Sequence, residues 1–115
     1  MTSDEPFHVL HDMLRAAKNA ILFTAGLTEL EFGQNEQVQY AVTMALQIIG
    51  ESAAKLIEKC PEFVAAHAEL PVHQMRGMRN RIAHGYFTIN QSVVWDTARN
   101  RLPQLVASLE HLLKK

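Results

Sequence analysis

Apolar side chains recur along this chain at the three- and four-residue spacing that is typical of amphipathic α-helices. The spacing is clear from Phe7 to Ile21, from Val38 to Leu56 and from Val94 to Leu112. It gathers the apolar residues on one face of each helix, which can then pack against other helices. Neither a β-hairpin pattern nor an internal repeat occurs in the sequence. The pattern therefore predicts an all-helical chain.

Capping residues and prolines predict where the first two long helices begin and end. Thr2 or Ser3 is expected to cap the first helix, and Gly26 is expected to follow its end. Asn35 is expected to cap the second helix, and Pro61 is expected to stop it. Short helical turns are expected after these helices, around residues 30–32 and 63–68.

The remaining boundaries predict two further helices. The third is predicted over residues 71–84, and Gly85 is expected to close it in a left-handed conformation. Asn90 is expected to cap the fourth helix. Pro103 lies inside that helix, and because the apolar stripe continues in phase beyond it, we expect a kink rather than an end. Gly50 lies inside the second helix, where glycine costs about 1 kcal/mol relative to alanine, so it is expected to mark a close helix–helix contact.

The composition agrees with a compact helical domain and excludes several other classes of protein. Of the 115 residues, 48% are hydrophobic and 20% are charged, which excludes disordered, collagen-like and low-complexity chains. A chain of this length suits one domain. We therefore predict an all-α fold, a four-helix up-down bundle with short extra helical turns, as a single domain over residues 1–115.

Three features of the sequence bear on its cellular location. No apolar run approaches the roughly 20 residues that a membrane span needs, and the polar, acidic N-terminus is unlike a signal peptide. The single cysteine, Cys60, excludes an intrachain disulfide and a multi-cysteine zinc site, and it favours a reducing compartment. We therefore expect a cytoplasmic protein that does not bind membranes.

Positive charge is concentrated in one segment, although the net charge of the chain is only −1. From Leu70 to Trp95 there is no aspartate or glutamate, and the window contains the cationic or titratable residues His73, Arg76, Arg79, Arg81 and His84. Such a cluster attracts phosphate, whose oxygens match the fork of an arginine guanidinium. A solvated helix face would show the same charges, so the case for function depends on which residues lie together.

The end of the third helix carries the most specific set of side chains. Asn80 and His84 are four residues apart and therefore neighbours on one helix face. Arg79 and His84 are about 140° apart around an ideal helix, so they meet only if the last turn is distorted or a second subunit completes the site. The helix C-terminus favours a protonated imidazole, and histidine can both accept and donate a proton. The hydroxyl of Tyr86 is expected to be exposed near His84.

These residue types suit RNA cleavage by the 2′-hydroxyl of the substrate, which needs proton transfer and charge stabilisation from the protein. His84 would act on the 2′-hydroxyl or the leaving oxygen, and Arg79 would stabilise the phosphate. Asn80 would orient His84 or bind a phosphate oxygen, and Tyr86 would help to position the RNA. Arg76 and Arg81 are further candidates for phosphate binding. No metal and no cofactor are expected.

The string from Arg79 to Tyr86 resembles a known signature. Arg79 through His84 is similar to the Arg-x4-His motif of the HEPN superfamily, and with Asn80 and Tyr86 it resembles the Arg-Asn-x3-His-x-Tyr form of HepT-like toxins. The resemblance extends along nearly the whole chain, through Asp12, Ile21, Phe32, Ile48–Glu51, Leu70–Pro71, Val94–Trp95 and Leu102–Pro103, in the family's order. The chain departs from the family at Asn90, where Asp is common, and at residues 72–73, where Trp is common.

This resemblance implies a small ribonuclease toxin that acts as a homodimer and whose substrate is RNA. It implies that Arg79 and His84 are catalytic and that Asn80 and Tyr86 support them. It also implies a partner, an MNT-type nucleotidyltransferase antitoxin that attaches AMP to Tyr86. The added bulk and negative charge would block the surface that RNA must occupy.

Other interpretations of the same residues remain open. The chain could be a non-catalytic nucleotide-binding or regulatory partner of a nucleotidyltransferase, or a plain helical dimerisation protein. His8 and His11 are spaced for zinc, but no third ligand is evident nearby, so a solvated face is favoured. Glu51 could face the site or simply pair with Lys55 on the polar side of its helix.

Overall fold

The computed structural model describes residues 5–114, with Glu5 described by its backbone alone. The described chain forms seven α-helices and no strand, and the helices are α1 Glu5–Thr24, α2 Glu29–Gly33, α3 Glu36–Lys59, α4 Pro61–Ala66, α5 Val72–His84, α6 Gln91–Asp96 and α7 Leu102–Leu113. A 3₁₀ turn at Tyr86–Thr88 follows α5, and a π-helical turn at Thr97–Arg101 joins α6 to α7. The predicted all-α fold class is confirmed. The proposed caps Thr2 and Ser3 lie outside the described residues.

Two of the predicted helix caps are confirmed by hydrogen bonds. Asn35 Oδ1 accepts a bond from the amide of Val38 at 3.1 Å, and Asn90 Oδ1 accepts one from the amide of Ser92 at 2.9 Å. Gly26 follows α1 with a left-handed φ of 80°. Each cap satisfies a backbone group that a helix end would leave unpaired.

The prediction of a left-handed Gly85 was wrong. Its φ is 173°, which is extended backbone. The Gly85 carbonyl accepts bonds from the amide of Thr88 at 3.2 Å and from the Thr88 hydroxyl at 2.9 Å. The chain therefore leaves α5 directly into the 3₁₀ turn, which changes its direction without a left-handed residue.

The long helices pack around α3, which lies at the centre of the bundle. α1 packs along one side of α3, α5 packs along another, and α7 covers α1. The fully buried side chains between them include Leu10, Met13, Val42, Ile49, Leu56 and Leu109. α5 contacts α3 closely and barely touches α7, so the bundle stays open along one flank of α5. No helix in the described part of the chain is long and apolar enough to cross a bilayer.

The contact between α3 and α5 is closest at Gly50, as the sequence predicts. A Cβ atom at this position would collide with the Cβ of Arg79 and would lie 2.8 Å from the carbonyl oxygen of Met75. Only a residue without a side chain allows the backbone of α5 to come this near. Gly50 therefore fixes how close Arg79 lies to α3.

The kink predicted at Pro103 is present as the π-helical turn that precedes it. Proline has no amide hydrogen, and its ring clashes with the carbonyl four residues earlier in an α-helix. The chain responds with one wider turn, in which the amide of Leu102 bonds the carbonyl of Thr97. Arg99, within this turn, donates to the carbonyl of Ile21 at 3.2 Å and to the hydroxyl of Thr24 at 3.1 Å. It thereby binds the C-terminal end of α1.

Replacing Gly50 with alanine should destabilise the fold. The added methyl group forces α5 away from α3, and overpacking of this kind costs about 1–3 kcal/mol. Gly77→Ala is the matched control, because Gly77 also lies in a helix but a Cβ there meets nothing within 4 Å. That control should gain up to about 1 kcal/mol. Urea denaturation measures both changes, and a Gly50→Ala protein as stable as wild type would contradict the close contact.

Candidate active site

Most of the predicted site residues lie on α5, at different positions around its circumference. Met75, Met78 and Ile82 pack against the core, so they fix which side of the helix is buried. Counting about 100° per residue, Arg79 lies at the border with α3, and Arg76, Asn80 and His84 follow at increasing angles, so that His84 is about 140° from Arg79. Arg81 lies on the opposite flank.

Arg79 is held by a carboxylate of the neighbouring helix. Its Nη1 donates to Glu51 Oε1 at 2.6 Å, across the contact between α5 and α3. The Arg79 side chain is 25% exposed and that of Glu51 is 50% exposed, so solvent reaches the pair. An ion pair this exposed adds little stability. Its consequence is geometric, because it fixes the guanidinium at the surface.

His84 is the last residue of α5, and its side chain is exposed. The helix is regular to this point, so His84 and Arg79 remain on different parts of its circumference. Asn80, one turn before His84, is also exposed. A single chain therefore presents the histidine and the amide together, with the arginine to one side.

The other arginines of the acid-free window, and Arg99 and Arg101 just beyond it, differ in their surroundings. Arg76 is half-buried and Arg81 is exposed, and neither has an ion-pair partner among the described residues. Arg101 lies 3.5 Å from Asp96, with most of its side chain in solvent. Arg99 instead has a structural role, because its hydrogen bonds hold the π-helical turn against the end of α1. Two arginines without an ion-pair partner among the described residues thus lie within or next to the predicted motif.

Tyr86 departs from the prediction that its hydroxyl is exposed. The oxygen is buried, with Thr43 and Gln91 as its polar neighbours, and it makes no well-formed hydrogen bond. The ring stacks on Tyr40 with 4.9 Å between centroids and meets Phe87 edge-on at 5.2 Å. The prediction failed because the 3₁₀ turn after Gly85 folds Tyr86 back onto α3.

Burial also changes the chemistry of this tyrosine. Desolvation raises the pKa of the Tyr86 phenol above its ordinary value, and the neighbouring Tyr40 raises that pKa further. The phenol is therefore neutral at physiological pH and weakly nucleophilic in this conformation.

An apolar stripe on α3 borders the site. Tyr40, Met44 and Ile48, spaced four residues apart, are 47%, 60% and 41% exposed. Phe87, next to Tyr86, is 83% exposed. Glu51 lies on the same side of α3, so the stripe leads directly to the Arg79–Glu51 pair. Exposed apolar patches of this kind are typical of protein–protein contact surfaces.

Glu51 is the site residue whose role the sequence left undecided. Of the two alternatives that the sequence left open, the structure favours the one in which Glu51 faces the site, because its partner is Arg79 and not Lys55. One sequence signal does point to this pair. Gly50 predicts a close helix contact, and Glu51 is the next residue. If the basic, acid-free segment packs at Gly50, one of its arginines can pair with Glu51.

The described residues contain no group of three histidine, cysteine or acidic side chains that could hold a metal ion. Trp95 packs against Phe32, with 5.3 Å between ring centroids.

Comparison with known proteins gives a consistent result. The profile of the family described as Ribonuclease HepT-like matches residues 13–112. Two proteins of Methanocaldococcus jannaschii that are named as candidate RNases are similar to this chain. One is 34% identical over 101 residues, which cover 88% of this chain and 90% of its own length. The other is 32% identical over 105 residues, which cover 91% of this chain and 84% of its own length. A protein of Thermococcus cleftensis, named for ribonuclease HepT, is 31% identical over 105 residues, covering 91% of this chain and 93% of its own.

No solved structure matches the chain significantly. The family match spans α5 and the Arg-Asn-x3-His-x-Tyr string, together with the helices that position them. The chain therefore belongs to the HepT-like family of ribonucleases.

Proposed function

We propose that this chain is an endoribonuclease toxin that cleaves RNA at the exposed flank of α5. The observation that carries the proposal is that Asn80 and His84 are exposed together at the C-terminal end of α5, while Arg79, one turn earlier, is fixed at the border with α3 by Glu51. The absence of acids from residues 70–95 leaves this surface attractive to a phosphodiester. The sequence similarity to ribonucleases supports the same reaction.

In the proposed reaction, the 2′-hydroxyl oxygen of RNA bonds to the adjacent phosphorus, and the bond from phosphorus to the 5′-oxygen breaks. One imidazole accepts the proton of the 2′-hydroxyl, and one donates a proton to the leaving 5′-oxygen. The products are a 2′,3′-cyclic phosphate and a 5′-hydroxyl. The scheme uses no metal ion and no cofactor, and His84 is the proton-transfer group.

Arg79 would stabilise the negative charge that develops on the phosphate oxygens. Its Nη1 already donates to Glu51 and its Nε is buried without a hydrogen-bond partner, so a phosphate would be bound by the remaining Nη donors of the guanidinium. Glu51 would act as a positioning residue, because it keeps the guanidinium from moving into solvent. Asn80 would orient the His84 ring or donate to a phosphate oxygen.

A homodimer would complete the site. Within one chain, Arg79 and His84 lie on different parts of α5, and a single histidine supplies only one of the two simultaneous proton transfers. The exposed stripe Tyr40, Met44 and Ile48 adjoins the Arg79–Glu51 pair. If two copies pair through this stripe, the two α5 helices face one cleft. His84 of the partner subunit can then supply the second proton transfer.

The toxin would be neutralised by an MNT-type nucleotidyltransferase that transfers AMP to Tyr86. The phenol oxygen would attack the α-phosphate of ATP, and pyrophosphate would leave. Because this oxygen is buried beneath the 3₁₀ turn, the turn must open before the transfer. The antitoxin must also provide a base, since burial raises the pKa of the phenol.

His84→Ala should abolish RNA cleavage without changing the fold. Loss of a proton-transfer group lowers the rate about 10²–10⁴-fold, and the exposed ring makes no contact that the fold needs. Cleavage of a labelled RNA and circular dichroism measure the two effects. His111→Ala, which removes another exposed histidine, is the control. Undiminished cleavage by the His84→Ala protein would show that His84 is not the proton-transfer group. Absence of cleavage by the wild-type protein would instead favour the non-catalytic regulatory role.

Met44→Glu should convert the dimer into monomers and reduce cleavage with it. A charge buried without a partner in an apolar interface costs about 3–5 kcal/mol, and a symmetric interface contains it twice. Light scattering reports the mass. Leu22→Glu is the control, because Leu22 is similarly exposed, at 67%, but lies on α1. A Met44→Glu protein that remains dimeric would show that another surface forms the dimer.

Tyr86→Phe should prevent modification by an MNT-type nucleotidyltransferase supplied with ATP. The variant keeps the ring that stacks on Tyr40 and loses only the acceptor oxygen, so the fold should be unchanged. Intact-mass spectrometry measures AMP attachment. Tyr40→Phe removes the other tyrosine of the chain and should leave modification intact. AMP found on the Tyr86→Phe protein would place the modified residue elsewhere.

A further inference from the structure

A groove of about 310 Å³ runs along the flank of α5 that faces away from Arg79. Its floor is apolar and is built from Leu46 and Ile49 of α3 and Met78 of α5. Val93 of α6, Arg81 of α5 and Arg101 of the π-helical turn also line the groove. The two arginines therefore belong to different elements that border it. This volume falls within the range of small-molecule sites, which are also mostly apolar with a few polar groups.

The groove follows from the packing of the helices. Gly50 draws α5 tightly onto α3, while α5 barely touches α7. The π-helical turn widens the opposite wall at Thr97–Arg101. An apolar surface therefore remains open between α5 on one side and α6, the π-helical turn and α7 on the other. This surface is on the side of α3 that faces away from the stripe Tyr40, Met44 and Ile48.

The charges around the groove favour an anion at one end. Arg81 has no carboxylate partner among the described residues, and its guanidinium lies 3.9 Å from the sulfur of Met78. Arg101 keeps only a 3.5 Å contact with Asp96. The groove continues into a second depression of about 260 Å³, where Glu69 is the charged residue at the far end. A phosphate would therefore bind near the two arginines and away from Glu69.

The groove also lies beside the proposed catalytic histidine. Arg81 and His84 are three residues apart on α5, so they are neighbours, with Cβ atoms about 5–6 Å apart and about 60° between them around the helix. His84 is thus closer around the helix to Arg81 than to Arg79. A strand whose scissile phosphate sits at His84 places the next nucleotide at the mouth of the groove.

We propose that this groove binds the base of the RNA nucleotide adjacent to the scissile phosphate, and that Arg81 and Arg101 bind that nucleotide's phosphate. The inference rests on the proposed ribonuclease function. A base has two apolar faces for the floor of the groove, and Gln74 and Thr97 in its lining can bond the polar edge. The groove would thereby select which nucleotide flanks the cut.

Filling the groove tests the base contact. In Val93→Trp, the indole occupies the edge of the groove, while Val93 is 44% exposed and is not part of the core. Binding is measured with a single-stranded RNA in a His84→Ala background, so that the RNA stays intact. Removing one stacked base typically weakens binding about ten-fold or more. We expect Val93→Trp to lower RNA affinity as much as an abasic nucleotide at the flanking position lowers the affinity for the protein with the unfilled groove. Combining Val93→Trp with the abasic RNA should lower the affinity no further.

The arginines are tested by salt dependence. Because Arg81 and Arg101 would bind the same phosphate, the Arg81→Ala/Arg101→Ala double variant should reduce the slope of log K against log salt by about 0.7, the value for one phosphate contact with a single strand, and each single variant should reduce it by less. Val93→Trp should leave this slope unchanged. Arg15→Ala, which removes an exposed arginine of α1, is the control and should change neither quantity.

The outcomes separate this inference from the function on which it depends. A wild-type protein that neither binds nor cleaves RNA would refute both. Normal cleavage, with affinity unaffected by Val93→Trp and by every abasic substitution, would refute the groove alone. Conversion of the Val93→Trp protein from dimer to monomer would show that a second copy covers the groove, which would also overturn the proposal. Circular dichroism and the arginine variants keep the test valid if the tryptophan disturbs folding.

Discussion

The absence of a side chain at position 50 controls the geometry of this molecule. Because α5 lies directly against α3 there, the Cβ of Arg79 sits at the helix crossing, and its guanidinium reaches the carboxylate of Glu51. The same close packing turns the opposite flank of α5 away from α7. One helix contact therefore produces both the candidate active flank and the groove beside it.

The Arg79–Glu51 pair is better understood as a positioning device than as a source of stability. Both side chains are partly in solvent, where water screens the attraction and holding two long side chains costs entropy. A guanidinium that is already fixed loses less conformational entropy when a substrate binds to it. Glu51 also limits the positive charge of the surface when no RNA is bound.

Tyr86 illustrates how local structure can hide a reactive group that sequence places at a surface. The residue follows an exposed helix end, which is why an accessible hydroxyl was expected. The 3₁₀ turn instead stacks the ring on Tyr40 and encloses the oxygen near Thr43 and Gln91. The oxygen therefore becomes accessible only when the turn opens and the ring leaves Tyr40.

Sequence by itself determined the helices, their caps at Asn35 and Asn90, the kink before Pro103 and the identity of the motif from Arg79 to Tyr86. Those features depend on local rules, namely apolar periodicity, side-chain caps and the chemistry of proline and glycine. The partner of Arg79, the structural role of Arg99, the burial of the Tyr86 hydroxyl and the groove along α5 were decided by tertiary structure. Each of them depends on which residues distant in sequence come within a few ångströms, and helical periodicity specifies only the side of a helix that is buried, not the neighbour that buries it.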